Sequence, residues 1–155
     1  MHQLNALPSE YRVRNPDFAV EAERVFYQAP FVRELGFQLV SLEAGRCETR
    51  LILQDKHLQQ DGYVHAGVQA TLADHSAGTA AATLLAENQI ILTAEFKVNL
   101  LRAAKGERLR CRAWVLKPGA NLIIAEAEVY CVSDDIAELV SKATVTLAVV
   151  DSRKQ

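Results

Sequence analysis

The sequence predicts an α+β fold in which an antiparallel β-sheet is wrapped around one long α-helix. One observation is the segment 66–85, which contains no proline and is crowded with Ala, Gly, Ser and Thr. Such small side chains let a helix lie close to the layer that covers it, whereas a solvated surface helix carries more Lys and Glu. The second observation is that a hairpin-like pair of strands precedes this segment and four strand-like segments follow it without another helix. Strands grouped apart from a single helix are typical of α+β domains.

The region before the long helix is predicted to hold a peripheral helical segment, residues 1–36, and then a hairpin. Asn15-Pro16 is a helix start, because proline is favoured at the first helical position. Pro30 interrupts the helical spacing of apolar residues, and one further turn is expected to end at Gly36, since glycine commonly follows a helix C-terminus. Two strand-like segments within residues 37–53 are separated by four turn residues and predict the hairpin.

The four strands after the long helix are predicted from period-two alternation and from turn residues between them. In the first strand, apolar and polar residues alternate strictly, which indicates one buried apolar face. The apolar set is Leu92, Ala94, Phe96, Val98 and Leu100, and the polar set is Thr93, Glu95, Lys97 and Asn99. The other strands are predicted at 108–115, 122–132 and 139–150, separated by turns at 117–120 and 133–135.

Length and composition fit one domain and exclude some classes of partner. The 155 residues are predicted to form a single domain, with its core at 37–150. A net charge of -2 provides no bulk attraction to nucleic acid or to an anionic membrane, so neither is an expected partner. The N-terminus shows no basic segment followed by an apolar run, and no segment approaches the ~20 apolar residues of a membrane helix. The expected location is the cytoplasm.

The three cysteines, Cys47, Cys111 and Cys131, are predicted to be buried small residues of strands. Zinc ligation would require paired cysteines or a Cys-His spacing, and neither pattern is present in the sequence. No metal and no cofactor is therefore expected, and a reducing compartment fits unpaired thiols.

The segment His65-Ala66-Gly67-Val68-Gln69-Ala70-Thr71-Leu72-Ala73-Asp74 resembles a motif of a known enzyme family. It is similar to the His-Gly-Gly motif, followed by a helical Asp, of phenylacetate-degradation-type (PaaI-like) acyl-CoA thioesterases. A second similarity lies at residues 93–107, where the family has a strand and a turn that run toward a glycine. The resemblance covers roughly residues 31–150. It implies the hotdog fold, hydrolysis of an acyl-CoA, Asp74 as the catalytic carboxylate and the Gly67 N–H as a donor to the developing oxyanion.

Two positions depart from the family pattern. Ala66 replaces the first glycine after the histidine, although Gly67 is retained. The family's asparagine six residues before the histidine is here Gln59, with Gln60 beside it. Either glutamine carries a side-chain amide donor, so the identity of that contact stays open between the two.

The spacing of Gly67 and Asp74 predicts a site shared by two subunits. The first N–H groups of a helix lack intrahelical partners and lie at its positive end, where they suit a thioester oxygen. Seven residues put Gly67 and Asp74 on one helix face but about 10 Å apart along the axis. One carbonyl carbon cannot contact both. Two antiparallel helices side by side in a homodimer would bring Gly67 of one subunit to Asp74 of the other.

Other residues receive smaller roles. His65 is expected to precede the helix and brace the loop, because nine residues place it on the opposite side of a helix from Asp74. His75 is expected to be structural. Ser76 has no glycine elbow around it, so a Ser-His-Asp triad is not expected. Thr93 matches a position at which relatives carry a hydroxyl that orients water. The candidates for holding the phosphates of coenzyme A are Lys97, Asn99, Arg102 and Lys105.

Two other functions remain open at this stage. A non-catalytic acyl-CoA-binding hotdog protein would keep the phosphate contacts but would have no use for Asp74. A hotdog hydroxyacyl-CoA dehydratase pairs a histidine with a carboxylate farther along a helix, an arrangement missing from this sequence. The sequence does not choose the acyl group, a dimer or a dimer of dimers, or nucleophilic or general-base action of Asp74.

Overall fold

The computed structural model describes residues 11–152. Three helices and six strands follow one another along these residues, with a short 3₁₀ turn at Asp55–His57 after the second strand. The helices are α1 (Phe18–Gln28), α2 (Pro30–Leu35) and α3 (Ala66–Ala82). The strands are β1 (Gln38–Glu43), β2 (Arg46–Ile52), β3 (Gln89–Leu100), β4 (Arg108–Pro118), β5 (Leu122–Ser133) and β6 (Ile136–Asp151).

The six strands form one antiparallel sheet in the order β1-β2-β4-β5-β6-β3. Helix α3 packs against five of the six strands, β2, β3, β4, β5 and β6, so one face of nearly the whole sheet covers the helix. The predicted hotdog architecture is therefore confirmed. β1 and β3 lie at the two edges, and β3 is the edge strand closest to the residues of the predicted site.

Small side chains allow α3 to lie deep in the sheet. Ten of its residues are buried, and six of those ten are alanine or serine. The Ser76 hydroxyl hydrogen-bonds the Thr49 hydroxyl of β2 at 2.7 Å, which fixes the rotation of the helix about its axis. The helix ends at Ala82, three residues before the predicted end at Leu85, because the Thr83 hydroxyl bonds back to a carbonyl of the last turn and accepts the N–H of Gly45 at 2.7 Å.

Helices α1 and α2 cover one side of α3, as the peripheral helical segment was predicted to do; residues 1–10 of that segment lie outside the described residues. Phe26 of α1 is fully buried, and its ring lies 4.8 Å from the ring of His75 in α3. Helix α2 ends at Gly36 as predicted, with φ 85°, a left-handed conformation that glycine adopts without a Cβ clash.

The three cysteines lie in strands and are buried and free, which confirms that prediction. Burial raises the pKa of the Cys111 thiol to about 12, so it is a neutral core group at physiological pH. Within residues 11–152, no helix has the length and hydropathy required to cross a bilayer.

Strand β3 differs from its predicted strict alternation, because a β-bulge lies between Thr93 and Glu95. Directly paired residues of antiparallel strands point to the same side of a sheet. Thr93 pairs with Leu147, which is buried toward α3, and Phe96 pairs with Val145, which is also buried. Thr93 and Phe96 therefore both face α3, although they are three residues apart. Strict alternation would have turned Thr93 to the outer face.

Candidate active site

Asp74 and Thr93 form the centre of the candidate site. Asp74 lies in the middle of α3 and is partly exposed, at the open side of the helix next to edge strand β3. The Thr93 hydroxyl donates a hydrogen bond to Asp74 Oδ1 at 2.9 Å. The bulge in β3 turns Thr93 toward the helix, as β-bulges next to active sites commonly re-aim a side chain. The structure thus brings together the predicted carboxylate and the predicted hydroxyl.

The surroundings of Asp74 favour its protonated form relative to a solvated carboxyl. Burial raises the pKa of Asp74, while the Thr93 hydrogen bond and the proximity of the His75 ring act in the opposite direction. A carboxylate that has lost part of its water shell and keeps one oxygen bonded is a stronger base and nucleophile than a surface carboxylate.

His65 is the N-cap residue of α3. Its Nδ1 accepts the Gly67 N–H at 2.8 Å, and this capping bond satisfies one of the free N–H groups of the first turn. The sequence predicted that His65 braces the start of the helix, and the structure confirms that position. A Cβ built on Gly67 would lie 3.0 Å from His65 Nδ1, so the glycine also leaves room for the ring.

The same capping bond changes the expectation for the oxyanion donors. The Gly67 N–H, expected to be free, is engaged by His65. The exposed Ala66 N–H, at the first position of the helix, has no hydrogen-bond partner among residues 11–152. The sequence motif did not indicate Ala66 as a candidate donor. Recognising His65 as an N-cap would have revealed it, because a capping side chain accepts the N–H of the second or third helical residue.

Gln59 and Gln60 lie in the loop that leads into α3. This loop is closed by a bridge between Leu58 and Val64, and the His65 N–H donates to the His57 carbonyl at 2.9 Å. The Gln59 Oε1 accepts the Asp61 N–H, which leaves its amide nitrogen as a donor, whereas the Gln60 Nε2 donates to Asp61 Oδ2 at 3.1 Å. Neither glutamine hydrogen-bonds Asp74 within one subunit.

The other two described histidines are held by backbone carbonyls. The fully buried His57 accepts the Gln54 N–H on Nδ1 and therefore donates through Nε2 to the Leu35 carbonyl at 2.8 Å. His75 bonds the Phe26 carbonyl at 3.1 Å and faces α1, and burial lowers its pKa, which keeps it neutral. Its predicted structural position is confirmed.

The four predicted phosphate-binding residues do not lie together. Lys97 and Asn99 pair with Thr144 and Lys142, so they lie on the outer face of the sheet, opposite Asp74. A contact of Lys97 or Asn99 with the phosphates of coenzyme A remains a prediction, and their position on the outer face of one subunit does not favour it. Arg102 is paired with Glu138 at 3.1 Å.

Lys105 follows Ala104, whose carbonyl accepts the Val64 N–H at 2.9 Å. Lys105 is therefore next to the loop that enters α3, whereas the contacts of Arg102 are to β6.

Within the described part of the chain, no group of three or more His, Cys, Asp and Glu side chains is arranged to hold a metal ion. The chemistry available at the site is that of a carboxylate, a hydroxyl and the backbone donors at the start of α3. Ala66 and Asp74 are eight residues apart, which separates donor and carboxylate by about 12 Å along the helix. Within one subunit, the two halves of a thioester-hydrolysing site are therefore too far apart to act on one carbonyl carbon.

A long helix enclosed by an antiparallel sheet, with a partly buried carboxylate at its open side, defines a hotdog-fold enzyme of the thioester hydrolase class. The chain belongs to the thioesterase superfamily, whose family model matches residues 61–138. This match includes both segments on which the resemblance was based.

The chain is also similar in sequence or structure to individual thioesterases and hydrolases. A thioesterase family protein from Silicibacter pomeroyi is 36% identical, with a TM-score of 0.85 over 86% of this chain and 98% of that chain. The 1,4-dihydroxy-2-naphthoyl-CoA hydrolase of Listeria monocytogenes is 28% identical over 77% of this chain and 95% of that protein. A phenylacetic acid degradation-related protein of Ralstonia eutropha, named as a putative thioesterase, shares the fold at 24% identity and a TM-score of 0.71, over 83% of this chain and 98% of that chain.

Proposed function

We propose that this protein hydrolyses an acyl-CoA thioester to a free acid and coenzyme A, with Asp74 as the catalytic carboxylate. The observation that carries the proposal is the Thr93–Asp74 hydrogen bond, because it holds a partly desolvated carboxylate in one orientation at the open side of the helix. Similarity to a protein named as a CoA-thioester hydrolase supports the substrate class. Coenzyme A is part of the substrate, and the proposed reaction uses no further cofactor.

The proposed chemistry follows from the groups present. As a general base, Asp74 removes a proton from water, the resulting hydroxide adds to the thioester carbon, and the C–S bond breaks. The departing thiolate then takes up the proton from Asp74. As a nucleophile, Asp74 itself adds to that carbon, and the C–S bond breaks with release of the CoA thiolate to leave a mixed anhydride. Water then hydrolyses this anhydride, which frees the acid and the Asp74 carboxylate, and the proton released is taken up by the thiolate. In both cases the carbonyl oxygen gains negative charge, which N–H donors at the positive end of a helix stabilise.

We propose that these donors come from the α3 of a second subunit, because the Ala66–Asp74 spacing fails within one helix. The Ala66 N–H is available directly. The Gly67 N–H becomes available if it leaves His65 Nδ1 and donates to the substrate oxygen instead. Gln59 extends an amide from the adjoining loop and is the glutamine assigned to this end of the site.

The exposed apolar side chains of β3 support self-association at this edge. β3 has a paired neighbour on one side, β6, and its other edge carries no partner strand in residues 11–152. Phe96 and Leu100, which face the α3 side, are about half exposed. A long unpaired edge with exposed apolar residues favours pairing with another chain. Two chains joined at β3 would place their α3 helices side by side, as the shared site requires; a dimer of dimers would repeat this unit.

A screen of hydrolysis over short-chain, medium-chain, long-chain and aromatic acyl-CoAs, with detection of the released thiol, tests the proposal. We expect turnover of at least one class. Saturable binding of acyl-CoAs with no thiol release would favour a non-catalytic binding protein, and hydration of an enoyl-CoA without thiol release would favour a dehydratase.

Thr93→Val is expected to lower kcat by about ten-fold, the scale of a lost hydrogen bond to a charged group. It should also move the acid limb of the pH profile to higher pH. In the wild-type protein the Thr93 hydrogen bond favours the ionised form of Asp74. Removing this bond therefore raises the pKa of the Asp74 carboxyl further. Activity that needs the carboxylate then disappears at a higher pH as the pH falls. Thr93→Ser keeps a hydroxyl and is the matched control. Identical acid limbs for the valine and serine variants would contradict the role of Thr93.

Lys105→Glu is expected to raise KM for acyl-CoA about ten-fold with little change in kcat, because a phosphate contact persists from ground state to transition state. Arg102→Glu should act in the same direction. Lys117→Glu reverses an exposed charge at the end of β4 and should leave KM unchanged. A truncated thioester without the nucleotide should show no difference between wild type and Lys105→Glu. An equal difference on both substrates would exclude a phosphate contact.

A further inference from the structure

Helix α3 leads from Asp74 toward a cleft that the reaction described above does not use. Asp74 and Thr93 meet at 2.9 Å, and one helical turn later Gly78 lies beside Ile91, two residues earlier in β3. The step from Asp74 to Gly78 along α3 and the step from Thr93 to Ile91 along β3 match in length. Four helical residues rise about 6 Å, and two strand residues rise about 6.6 Å. The next turn brings Ala82 alongside Gln89, and both line the cleft. Helix and strand therefore run side by side from the carboxylate to the cleft.

Helix α1 lies on the other side of this part of α3, away from β3. His75 faces α1 and lies about 100° around α3 from Asp74, which faces β3. Gly78 and Ala82 lie at about 40° and 80°, between these two directions. Ala82, Ile91 and Val25 of α1 all line the cleft, and Gly78 lies beside Ile91, one turn of α3 nearer to Asp74. These four residues define what is called here the acyl groove.

The cleft at the end of the acyl groove is large enough for a ligand. Its volume is about 520 Å³, within the range of roughly 300–1,000 Å³ that holds small molecules. Its apolar lining includes Leu85 and Ile90, and its far end carries polar residues such as Asn88. An apolar chain can thus lie along the floor while the far opening meets water.

Gly78 lies on α3 between Asp74 and this cleft. It is partly exposed in the middle of α3, where glycine is an unfavourable helix residue, so its presence calls for a reason other than helix formation. A Cβ built on Gly78 would meet nothing closer than the Ile91 Cδ1 at 3.9 Å. A methyl group on Gly78 would therefore be in ordinary contact with Ile91, and a longer side chain would extend into the acyl groove.

We propose that Gly78 is a specificity-determining residue, which opens the acyl groove to a straight, apolar acyl chain of medium length. This inference rests on the proposed function, since the chain starts at a thioester carbon beside Asp74. From Asp74 to Ala82 the helix rises about 12 Å. An extended chain gains about 1.2 Å per bond, by analogy with the three backbone bonds of each extended residue. The acyl groove therefore accommodates about eight to ten carbons.

The test measures kcat/KM for straight-chain acyl-CoAs from two to fourteen carbons. In the wild-type protein kcat/KM should rise by up to about four-fold per methylene and level off near ten carbons, because each methylene that leaves water contributes that factor. Gly78→Leu should remove the gain beyond about four carbons. The loss for octanoyl-CoA, which has four carbons more, then reaches up to about 250-fold, with acetyl-CoA changed less than about three-fold. Ala86→Phe obstructs the far end of the cleft and should reduce only the longest substrates.

Two controls separate blocking from damage to the fold. Gly78→Ala should raise Tm, because alanine is the better helix residue and its methyl group fits beside Ile91. Ala19→Leu adds the same kind of side chain on the exposed surface of α1 and should leave the length profile unchanged. A folded Gly78→Leu protein that loses all chain lengths equally, or none, overturns the inference.

Failure of the proposed function has a different outcome. If the wild-type protein releases no thiol from any acyl-CoA but binds these compounds, the same variants are measured by calorimetry, and the chain-length dependence of Kd then tests the acyl groove without catalysis. A Kd that does not depend on chain length in the wild-type protein would overturn the inference. Absence of both binding and hydrolysis would overturn the inference and the proposed function together.

Discussion

Asp74→Asn is expected to lower kcat for the best acyl-CoA by at least about 100-fold while leaving the fold and KM nearly unchanged. The amide has almost the size of the carboxylate but neither attacks a thioester nor accepts a proton from water, and loss of a general base or nucleophile costs on this scale. Asp134→Asn makes the same change in the exposed turn between β5 and β6 and should keep full activity. Near wild-type turnover of Asp74→Asn would exclude the proposed mechanism.

The same variant should be more stable than the wild-type protein at neutral pH. Burial is the largest effect on Asp74 and raises its pKa. A carboxyl group whose pKa is higher in the folded than in the unfolded state stabilises the fold at low pH, and this contribution is lost as the pH rises through the folded pKa. At pH 7 the ionised Asp74 therefore costs stability that an uncharged amide does not. The Tm advantage of Asp74→Asn should shrink as the pH is lowered, and an unchanged advantage at acid pH would contradict this cause.

Nucleophilic and general-base action of Asp74 differ in the path of oxygen. In ¹⁸O-water, a nucleophilic Asp74 acquires label in its own carboxylate after repeated turnover, because water hydrolyses the mixed anhydride. A general base leaves the carboxylate unlabelled. Mass spectrometry of the peptide that contains Asp74 separates the two.

Ala66→Pro is expected to abolish most activity, by at least about 100-fold, because it removes one backbone donor to the oxyanion. Proline is tolerated at the first position of a helix, where its missing N–H breaks no intrahelical bond. His65, the preceding residue, has φ -59° and ψ 137°, the extended conformation that a following proline requires. Ala66→Gly retains the N–H and is the matched control, with activity close to the wild-type value. A fully active Ala66→Pro protein would exclude the Ala66 donor.

Combining the two inactive variants tests the shared site. Co-expression of Asp74→Asn and Ala66→Pro chains with different affinity tags, followed by two-step purification, isolates the mixed dimer. If carboxylate and donor come from different subunits, one of its two sites is intact, and about half of the wild-type activity should return. No recovery, or a fully active monomer by light scattering, would contradict the shared site.

Several features were predictable from the sequence because they depend on local spacing. The small-residue composition of α3 predicted a helix enclosed by a sheet, and the stop at Gly36 followed from a single glycine. The spacing of nine positions from His65 to Asp74 was enough to place the histidine at the start of the helix and away from the carboxylate. The motif at residues 65–74, together with residues 93–107, was enough to predict the thioesterase superfamily, which the family model confirms.

Other features were decided by tertiary structure alone. The bulge before Glu95 turns Thr93 toward Asp74, and nothing in the alternating pattern of β3 reveals it, because a bulge depends on the pairing with β6. The proposed acyl groove depends on Val25 of α1 and Ile91 of β3, which line one cleft although they are far apart in sequence, because they meet only when the chain is folded.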